Sequence, residues 1–294
     1  MKILLLGANG QLGSAYRELS KTEAWPLGWE LVALGSKECD LSQSGSLSQA
    51  LEKVRPDLIL NAAAYTAVDL AEKEQEKCEA INVQAPEVLA RYCAFHGIPL
   101  VHYSSDYVYD GAGAVERLEG APHSPVNIYG ASKAKGDEAI IRSGCEHLIF
   151  RTSWVFSHTG KNFVKTMLRL GAERTELKVV EDQVGAPTYA PDLAAYSLQA
   201  LMRALELKVE GGGFPSGVYH LTNSGHTSWA DFARAILPGV KVIGIPSSEY
   251  PTPAKRPRNS RLSLERFKTT FQITPRPWQE ALQECLEKLR EHHG

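Results

Sequence analysis

The chain opens with a short apolar run that leads directly into a turn punctuated by glycine. Lys2–Leu6 has the composition of a buried strand, and a helix-like stretch follows from Gln11. The glycines are spaced G-x-x-G-x-x-G rather than the commoner G-x-G-x-x-G, so a turn that binds nothing is the alternative. Glycines in this context let the backbone approach a pyrophosphate, which the free N–H groups of a helix N-terminus can bind. We therefore expect dinucleotide contacts from Gly7, Gly10, Gln11, Leu12 and Gly13.

Short apolar runs and longer helix-like stretches alternate through the first half of the chain and continue less regularly in the second. The predicted strands are Lys2–Leu6, Glu30–Leu34, Leu58–Leu60, Pro99–Tyr103, His147–Arg151, Leu177–Glu181, Gly217–Leu221 and Val240–Ile245. The predicted helices are Gln11–Leu19, Ser46–Val54, Val68–Cys78, Pro86–Phe95, Tyr129–Arg142, Asn162–Leu170, Asp192–Leu207, Trp229–Leu237 and Trp278–Glu291. This alternation predicts an α/β fold, with a doubly wound, Rossmann-like parallel sheet and a smaller α/β substrate-binding lobe. We expect residues 1–151 to form the dinucleotide-binding domain and residues 152–294 mainly the second lobe, with some later segments returning to the first domain.

Composition excludes several classes of protein. The 294 residues are 43% hydrophobic and 22% charged, as in ordinary globular proteins, and the net charge of −2 gives no general attraction for nucleic acid or membrane. No apolar run approaches the ~20 residues of a membrane span, and the N-terminus does not have the pattern of a signal peptide. The five cysteines are odd in number and lack C-x-x-C spacing, which favours free thiols and a cytoplasmic location.

The end of the second strand predicts which coenzyme is used. Glu30–Leu34 runs into Gly35-Ser36-Lys37, so no carboxylate stands at the strand tip to hold ribose hydroxyls, as in many NAD enzymes. Ser36 and Lys37 could instead accept a 2′-phosphate, which favours NADPH, with NADH as a second option; a solvated loop is the alternative. Asp40, followed by Leu41, could accept from the adenine amino group or cap the helix that begins near Ser44.

A second candidate coenzyme surface follows the third strand. The run Asn61-Ala62-Ala63-Ala64-Tyr65-Thr66 has small residues that would let a flat cofactor lie close to the backbone. The carboxyl end of a parallel strand is where ligands bind in open α/β sheets, although helix–sheet packing also favours alanine. The resulting candidates are Ala64, Tyr65 and Thr66.

Tyr129 and Lys133 form a candidate proton-transfer pair because residues four apart share one face of a helix. A free tyrosine has a pKa of about 10, and a nearby ammonium is expected to lower the pKa of Tyr129. Ser105, which ends the strand containing Tyr103, could donate to a carbonyl oxygen that gains negative charge. Y-x-x-x-K alone occurs by chance, and its combination with Ser105 and the glycine loop is what indicates a nicotinamide-dependent enzyme acting on a carbonyl or a carbinol.

Two second-half segments carry candidate substrate contacts. Trp154 could stack on a sugar or a base, or belong to the core. Lys255, Arg256 and Arg258 stand in a proline-rich loop that could bind a diphosphate or simply be solvated. No H-E-x-x-H or C-x-x-C pattern is present, and His292 and His293 are interpreted as a frayed tail, so no metal site is expected.

With these motifs the chain resembles extended short-chain dehydrogenase/reductases and, among them, the dTDP-4-dehydrorhamnose reductase family. The resemblance covers nearly the whole chain and is carried by residues 7–13, 61–69, 103–111, 151–156, 181–188 and 252–257. It implies a coenzyme-binding larger lobe, a smaller lobe for a sugar nucleotide, and reduction of the 4-keto group of a dTDP-sugar. The implied roles are proton donation by Tyr129 with support from Lys133 and Ser105. The implied coenzyme contacts are Gly10, Gln11, Leu12, Asp40, Leu41, Ala64, Tyr65, Thr66, Tyr103, Tyr129 and Lys133. It also implies sugar-nucleotide contacts from Ser105, Asp106 and Trp154, to which the basic loop adds Arg256.

The resemblance also bears on assembly and on rival functions. Some relatives dimerise through magnesium held by glutamates, but Ser14-Ala15-Tyr16 stands where a glutamate is expected. A monomer or a homodimer is predicted, and this sequence does not decide whether magnesium would bridge the subunits. A sugar-nucleotide dehydratase or epimerase is the rival enzyme, although Tyr107 follows Asp106 where a dehydratase often has a second carboxylate. A non-catalytic coenzyme-binding regulatory subunit is the other alternative.

Overall fold

A computed structural model describes residues 1–291, with the backbone alone for Ser44. The strands are β1 (Lys2–Leu6), β2 (Glu30–Leu34), β3 (Leu58–Asn61), β4 (Leu100–Ser105), β5 (His147–Thr152), β6 (Val155–Phe156), β7 (Glu176–Val180), β8 (Val184–Gly185), β9 (Thr188–Tyr189), β10 (Gly217–His220), β11 (Thr227–Ser228), β12 (Lys241–Ile245) and β13 (Asn259–Ser260). The α-helices are α1 (Gln11–Leu19), α2 (Ser44–Val54), α3 (Val68–Ala71), α4 (Gln75–Glu79), α5 (Ala85–His96), α6 (Ile128–Ser143), α7 (Phe163–Glu173), α8 (Ala190–Val209), α9 (Trp229–Ile236), α10 (Glu265–Phe271) and α11 (Trp278–Glu291).

The largest sheet has six parallel strands in the order β10-β5-β4-β3-β1-β2. The chain passes from β1 to β2 on one side and then returns to β3 on the other, so the strand order reverses between β1 and β3. Ligands of doubly wound sheets bind at this switch point, outside the carboxyl ends of the strands. The predicted fold class is confirmed.

Both faces of this sheet are covered by helices, which explains why its strands are continuous apolar runs. Alternate residues of β1 point in opposite directions: Ile3 and Leu5 join the core that includes side chains of α1, α8 and α10. Leu4 and Leu6 join the core that includes α2, α5 and part of α6. The covered sheet fixes the carboxyl ends of the strands, where the candidate site lies.

Some elements of the second half form a separate core with small sheets, and others return to the large sheet. The strand pair β7–β12, the short sheet β11-β8-β13 and the pair β6–β9 occur there, and a separate core includes side chains of α7, α9 and α11. By contrast, β10 pairs with β5 in the large sheet, and Leu193 and Leu201 of α8 are buried in the core that contains α1. Among the described residues, no helix has the length and apolar character to span a membrane.

One predicted helix is wrong. Val68–Cys78 forms two short helices, α3 and α4, separated at residues 72–74. Both glutamates at the break make tertiary contacts: Glu72 accepts the backbone N–H of Ile128 at 3.0 Å, and Glu74 accepts the hydroxyl of Tyr65 at 2.9 Å. A π-helical turn at Ala80–Gln84 then joins α4 to α5, and 3-10 turns occur at Asp106–Val108 and Ser247–Glu249.

Candidate active site

A cleft of about 400 Å³ lies at the carboxyl ends of β1 to β4. It brings together most of the residues predicted from the sequence, namely Gly7, Gly10, Gln11, Leu12, Asp40, Leu41, Ala64, Thr66, Tyr103, Tyr129 and Lys133. Other residues that line it are Asn9, Gly35, Ser36, Cys39, Ala62, Ala63, Ile81, Ser104, Thr152, Val155 and Leu193. The predicted contacts Gly13, Tyr65, Ser105, Asp106, Trp154 and Arg256 do not line this cleft.

The glycine loop forms a cradle for an anion. Gly7 has φ +82°, and a Cβ there would lie 2.7 Å from the backbone nitrogen of Ala63, so only glycine fits. A Cβ on Gly13 would overlap the carbonyl oxygen of Gly7, which explains its packing role behind the cleft. Gly10 precedes α1, and within the described chain no side chain caps this helix end. The first N–H groups of α1 are thus free to bind a pyrophosphate.

Two buried hydroxyl groups in the cleft lining also fit a polar ligand. Ser104 Oγ and Thr152 Oγ1 have no hydrogen-bond partner among residues 1–291. Buried polar atoms are normally satisfied, so these atoms indicate a partner that the protein itself does not provide. Neither residue was predicted, although both stand at the carboxyl ends of strands, which is the signal that could have identified them.

The sequence predicts no carboxylate at the tip of β2, but the structure places one there. Glu38 folds back so that its carboxylate accepts the N–H of Gly35 at 3.0 Å. Asp40 accepts the backbone N–H and the hydroxyl of Ser42 at 2.9 and 2.7 Å, and these hydrogen bonds lower the pKa of Asp40. The interpretation of Asp40 as a helix cap is wrong because α2 is preceded by Gln43 and receives no side-chain cap.

The segment after β3 places two of its three predicted coenzyme contacts in the cleft. Ala64 and Thr66 line it, whereas Tyr65 is held elsewhere: its hydroxyl donates to Glu74, and its N–H donates to Asn82 Oδ1 at 2.9 Å. Tyr103 does line the cleft, although its hydroxyl is already hydrogen-bonded to that of Tyr16.

Tyr129 and Lys133 lie on α6 and both face the cleft, as their spacing predicts. Burial raises the pKa of Tyr129 well above its ordinary value, and a hydrogen bond with Ser105 opposes this effect. Ser105 also donates to Asp106 Oδ1 at 3.0 Å. Burial thus gives Tyr129 a raised pKa in place of the lowered pKa that the sequence predicts, and Ser105 provides the opposing contact.

Lys133 is itself buried and has partners on β4. Its Nζ donates to the carbonyl oxygen of Tyr103 at 2.7 Å and lies 3.2 Å from Nε2 of His102. Burial lowers the pKa of Lys133 to about 8, while Asp137 and Cys78 act in the opposite direction. His102 was missed in the sequence because its importance depends on which helix packs against β4.

The candidate substrate residues are placed around this centre by contacts of different kinds. Asp106 is only 3% exposed, its Oδ2 has no partner among the described residues, and burial raises its pKa to about 6. Trp154 has φ +49° and stacks on Trp229 with ring centroids 3.7 Å apart, leaving the ring partly exposed. Arg256 is paired through two nitrogens with Asp69, at 3.1 and 2.8 Å.

Metal ligation finds no support within the described residues. No group of three or more His, Cys, Asp or Glu side chains there is arranged to hold a metal ion. His292 and His293, which the sequence suggests are a frayed tail, lie outside residues 1–291.

Comparisons with known proteins identify close relatives across the whole chain. A family model described as the RmlD substrate binding domain matches residues 1–291. The dTDP-4-dehydrorhamnose reductase of Burkholderia thailandensis is 44% identical, with 98% of this chain and 99% of that protein aligned. The protein of the same name from Escherichia coli K12 is 41% identical, with 98% of each chain aligned.

Solved structures give the same result. The structure of a dTDP-4-dehydrorhamnose reductase from Clostridium acetobutylicum has a TM-score of 0.88 and 35% identity, covering 99% of this chain and 100% of that one. The Bacillus anthracis dTDP-4-dehydrorhamnose reductase in complex with NADP has a TM-score of 0.86 and 33% identity, covering 98% and 99%. A UDP-glucose 4-epimerase from Thermus thermophilus, at 18% identity and a TM-score of 0.79, shares the fold.

Proposed function

Because the chain belongs to the RmlD substrate binding domain family, we propose that it reduces the 4-keto group of dTDP-4-dehydro-L-rhamnose to give dTDP-L-rhamnose. The proposed coenzyme is NADPH, with NADH as a second option. NADPH is the reduced form of the NADP that the Bacillus anthracis relative binds. The observation that carries this proposal is the convergence of Tyr129 and Lys133 on the same cleft as the glycine loop.

NADPH, when bound, supplies the hydride that attacks the carbonyl carbon. The residues expected to hold it are Gly7, Gly10, Gln11, Leu12, Asp40, Leu41, Ala64, Thr66, Tyr103, Tyr129 and Lys133, which line the cleft. Gly13, which packs against Gly7, and Tyr65, which is bonded to Asn82 and Glu74, would act indirectly. The open N-terminus of α1 suits the pyrophosphate, and the unpaired hydroxyls of Ser104 and Thr152 suit polar groups deeper in the cleft.

Tyr129 is the proposed proton donor to the carbonyl oxygen. Its raised pKa keeps the phenol protonated at neutral pH, so the acid is ready before reduction begins. The phenolate left behind is stabilised by the hydroxyl of Ser105, which can turn its proton from Asp106 towards it. A protonated Lys133 adds a positive charge on the same face of α6.

Asp106, Trp154 and Arg256 are the proposed sugar-nucleotide contacts, together with Ser105. Trp154 offers a partly exposed ring held in place by Trp229. The guanidinium of Arg256 uses two nitrogens on Asp69 and remains 26% exposed, so it retains donors for a diphosphate. In this proposal residues 1–151 bind mainly the coenzyme, and residues 152–294 bind mainly the sugar nucleotide.

We also propose a cytoplasmic location and a monomer or a homodimer. The five cysteines are all free and buried, as expected where thiols stay reduced. Sedimentation of the purified protein with and without a chelator would distinguish a monomer from a dimer and would reveal any dependence on a metal.

The rival functions make different predictions for the purified protein. An epimerase or dehydratase would retain a tightly bound coenzyme and would need a second carboxylate after Asp106, where Tyr107 stands. A regulatory subunit would bind the coenzyme without turnover. NADPH oxidation that depends on dTDP-4-dehydrorhamnose excludes both rivals.

The test is the replacement Tyr129→Phe, assayed with dTDP-4-dehydrorhamnose and NADPH. Loss of a general acid typically costs about 10²–10⁴-fold in rate, so kcat/KM should fall at least 100-fold. Tyr219→Phe is the matched control because it removes another tyrosine hydroxyl, one on β10 that donates to Pro215 O at 2.8 Å and lies outside the cleft. Undiminished kcat/KM for Tyr129→Phe would contradict the assignment.

A further inference from the structure

A chain of buried polar contacts links the backbone after β3 to the amine of Lys133. The N–H of Ala63 donates to Asn61 Oδ1 at 3.3 Å, and Asn61 Nδ2 lies 3.0 Å from Nδ1 of His102. His102 Nε2 then lies 3.2 Å from Nζ of Lys133. Asn61 and His102 are direct partners in the parallel pairing of β3 with β4, and both are fully buried.

The first two contacts determine where the proton of His102 lies. Because a backbone N–H can only donate, Asn61 must present its oxygen to Ala63 and its NH₂ group to His102. Burial and the charges of Lys133 and His147 keep the pKa of His102 well below its ordinary value, so the ring is neutral and carries one proton. Since Nδ1 accepts from Asn61, that proton is on Nε2.

The Nε2–H group of His102 therefore points at the amine of Lys133. A neutral amine can accept this hydrogen with its lone pair. An ammonium has no lone pair, so its N–H groups would face the N–H of His102 with no acceptor between them. The Tyr103 carbonyl, at 2.7 Å from Nζ, can accept from either form. Three ionisable groups on the surrounding elements act on the pair: Asp137 on α6 and Cys78 on α4 raise the pKa of Lys133, and His147 on β5 lowers that of His102. Asp137 is itself paired with Arg151 of β5.

We propose that His102, with its tautomer set by Asn61, is a positioning residue that determines whether Lys133 is present as an ammonium or as an amine. This inference rests on the proposed reductase function, in which the ammonium supports the phenolate of Tyr129. Activity should consequently fall as the pH rises and Lys133 loses its proton. The position of that fall then reports on the contact between His102 and Lys133.

Two substitutions place a hydrogen-bond acceptor, in place of the donor Nε2–H, opposite Lys133. Asn61→Asp keeps the shape but can only accept from Nδ1, which moves the ring proton to Nδ1 and leaves Nε2 to accept from an ammonium. His102→Gln offers an amide that can turn its oxygen to Lys133. Both should move the alkaline fall in kcat/KM to higher pH by about one unit. His96→Gln is the control, because His96 is exposed on α5, packs on Tyr92 and lies outside the cleft, so its profile should match the wild type.

A measurement on the wild-type protein tests the tautomer directly. Long-range ¹H–¹⁵N correlation of the His102 ring at pH 7 should show the proton on Nε2, and a proton on Nδ1 would overturn the inference. An alkaline fall that stays at the wild-type pH in both folded variants would also overturn it. Absence of any keto-sugar reduction by the wild type would count against the proposed function instead, while the ring measurement would still decide the tautomer.

Discussion

The carboxylate of Glu38 accepts the backbone N–H of Gly35, 3.0 Å away, and so brings a negative charge to the tip of β2. The strand itself ends without an acidic residue, which is why the sequence favours a coenzyme that carries a 2′-phosphate there. The turn from Gly35 to Glu38 nevertheless places the carboxylate of Glu38 at this strand end. Ser36, in the same turn, lines the coenzyme cleft.

We expect Glu38→Gln to increase the preference for NADPH over NADH. The substitution removes a charge that repels the 2′-phosphate but leaves a side chain that can still accept from Gly35. The ratio of kcat/KM values for NADPH and NADH should rise about 3- to 30-fold, corresponding to the loss of one partly screened like charge. Glu52→Gln, on the exposed face of α2, should leave the ratio unchanged. An equal change with both coenzymes would argue against a role for Glu38 in discrimination.

The strands and most helices could be predicted from the sequence because each is a local pattern of apolar residues. Tyr129 and Lys133 could be predicted to face one way because the helix repeat alone decides it. The contacts of Lys133 could not, since they require the register between β3 and β4 and the packing of α6. The pairing of Arg256 with Asp69 joins residues 187 positions apart, a distance over which no local pattern operates.

Ser105→Ala should slow the chemical step while Ser105→Thr should retain it. The hydroxyl of Ser105 opposes the effect of burial on Tyr129, and threonine keeps that hydroxyl whereas alanine does not. Loss of one such donor costs about 100- to 1,000-fold in kcat. Steady-state kcat and KM for both variants provide the measurement. Equal kcat in the alanine and threonine variants would show that the hydroxyl is not used.

Asp106→Asn should stabilise the protein at neutral pH and have no such effect in acid. The folded state raises the pKa of Asp106 to about 6, so folding favours its protonated form. The contribution of Asp106 to the free energy of unfolding is therefore fully present below pH ~4 and is lost as the pH rises through about 6. Asparagine does not ionise, and the gain at pH 7 should be roughly 1–3 kcal/mol in the free energy of unfolding.

Urea unfolding at pH 4, 5.5 and 7 would measure this effect, with activity assayed in parallel. We expect activity to fall as stability increases, because Asp106 is a proposed substrate contact. A stability gain of the same size at all three pH values would show that ionisation of Asp106 is not its cause.

Gly13→Ala should weaken coenzyme binding and destabilise the fold. The added methyl group would overlap the backbone of Gly7, so α1 must move away from the loop that cradles the pyrophosphate. Overpacking of this kind costs about 1–3 kcal/mol in the free energy of unfolding, and the KM for NADPH should rise. Gly45→Ala is the contrasting control: nothing lies within 4 Å of its Cβ position in α2, so this variant should be slightly more stable. Similar thermal stability and similar KM values for the two variants would contradict this prediction.

The pairing of β10 with β5 limits how proteins of this shape can be recombined. Gly217–His220 lies far along the chain from the five strands that it completes. A hybrid of two proteins joined at residue 151 would pair β5 of one parent with β10 of the other. A fragment ending at residue 151 would lack β10, and the unpaired backbone groups of β5 would then favour aggregation. New substrate selectivity in this architecture should therefore be sought through individual substitutions rather than by exchanging contiguous halves.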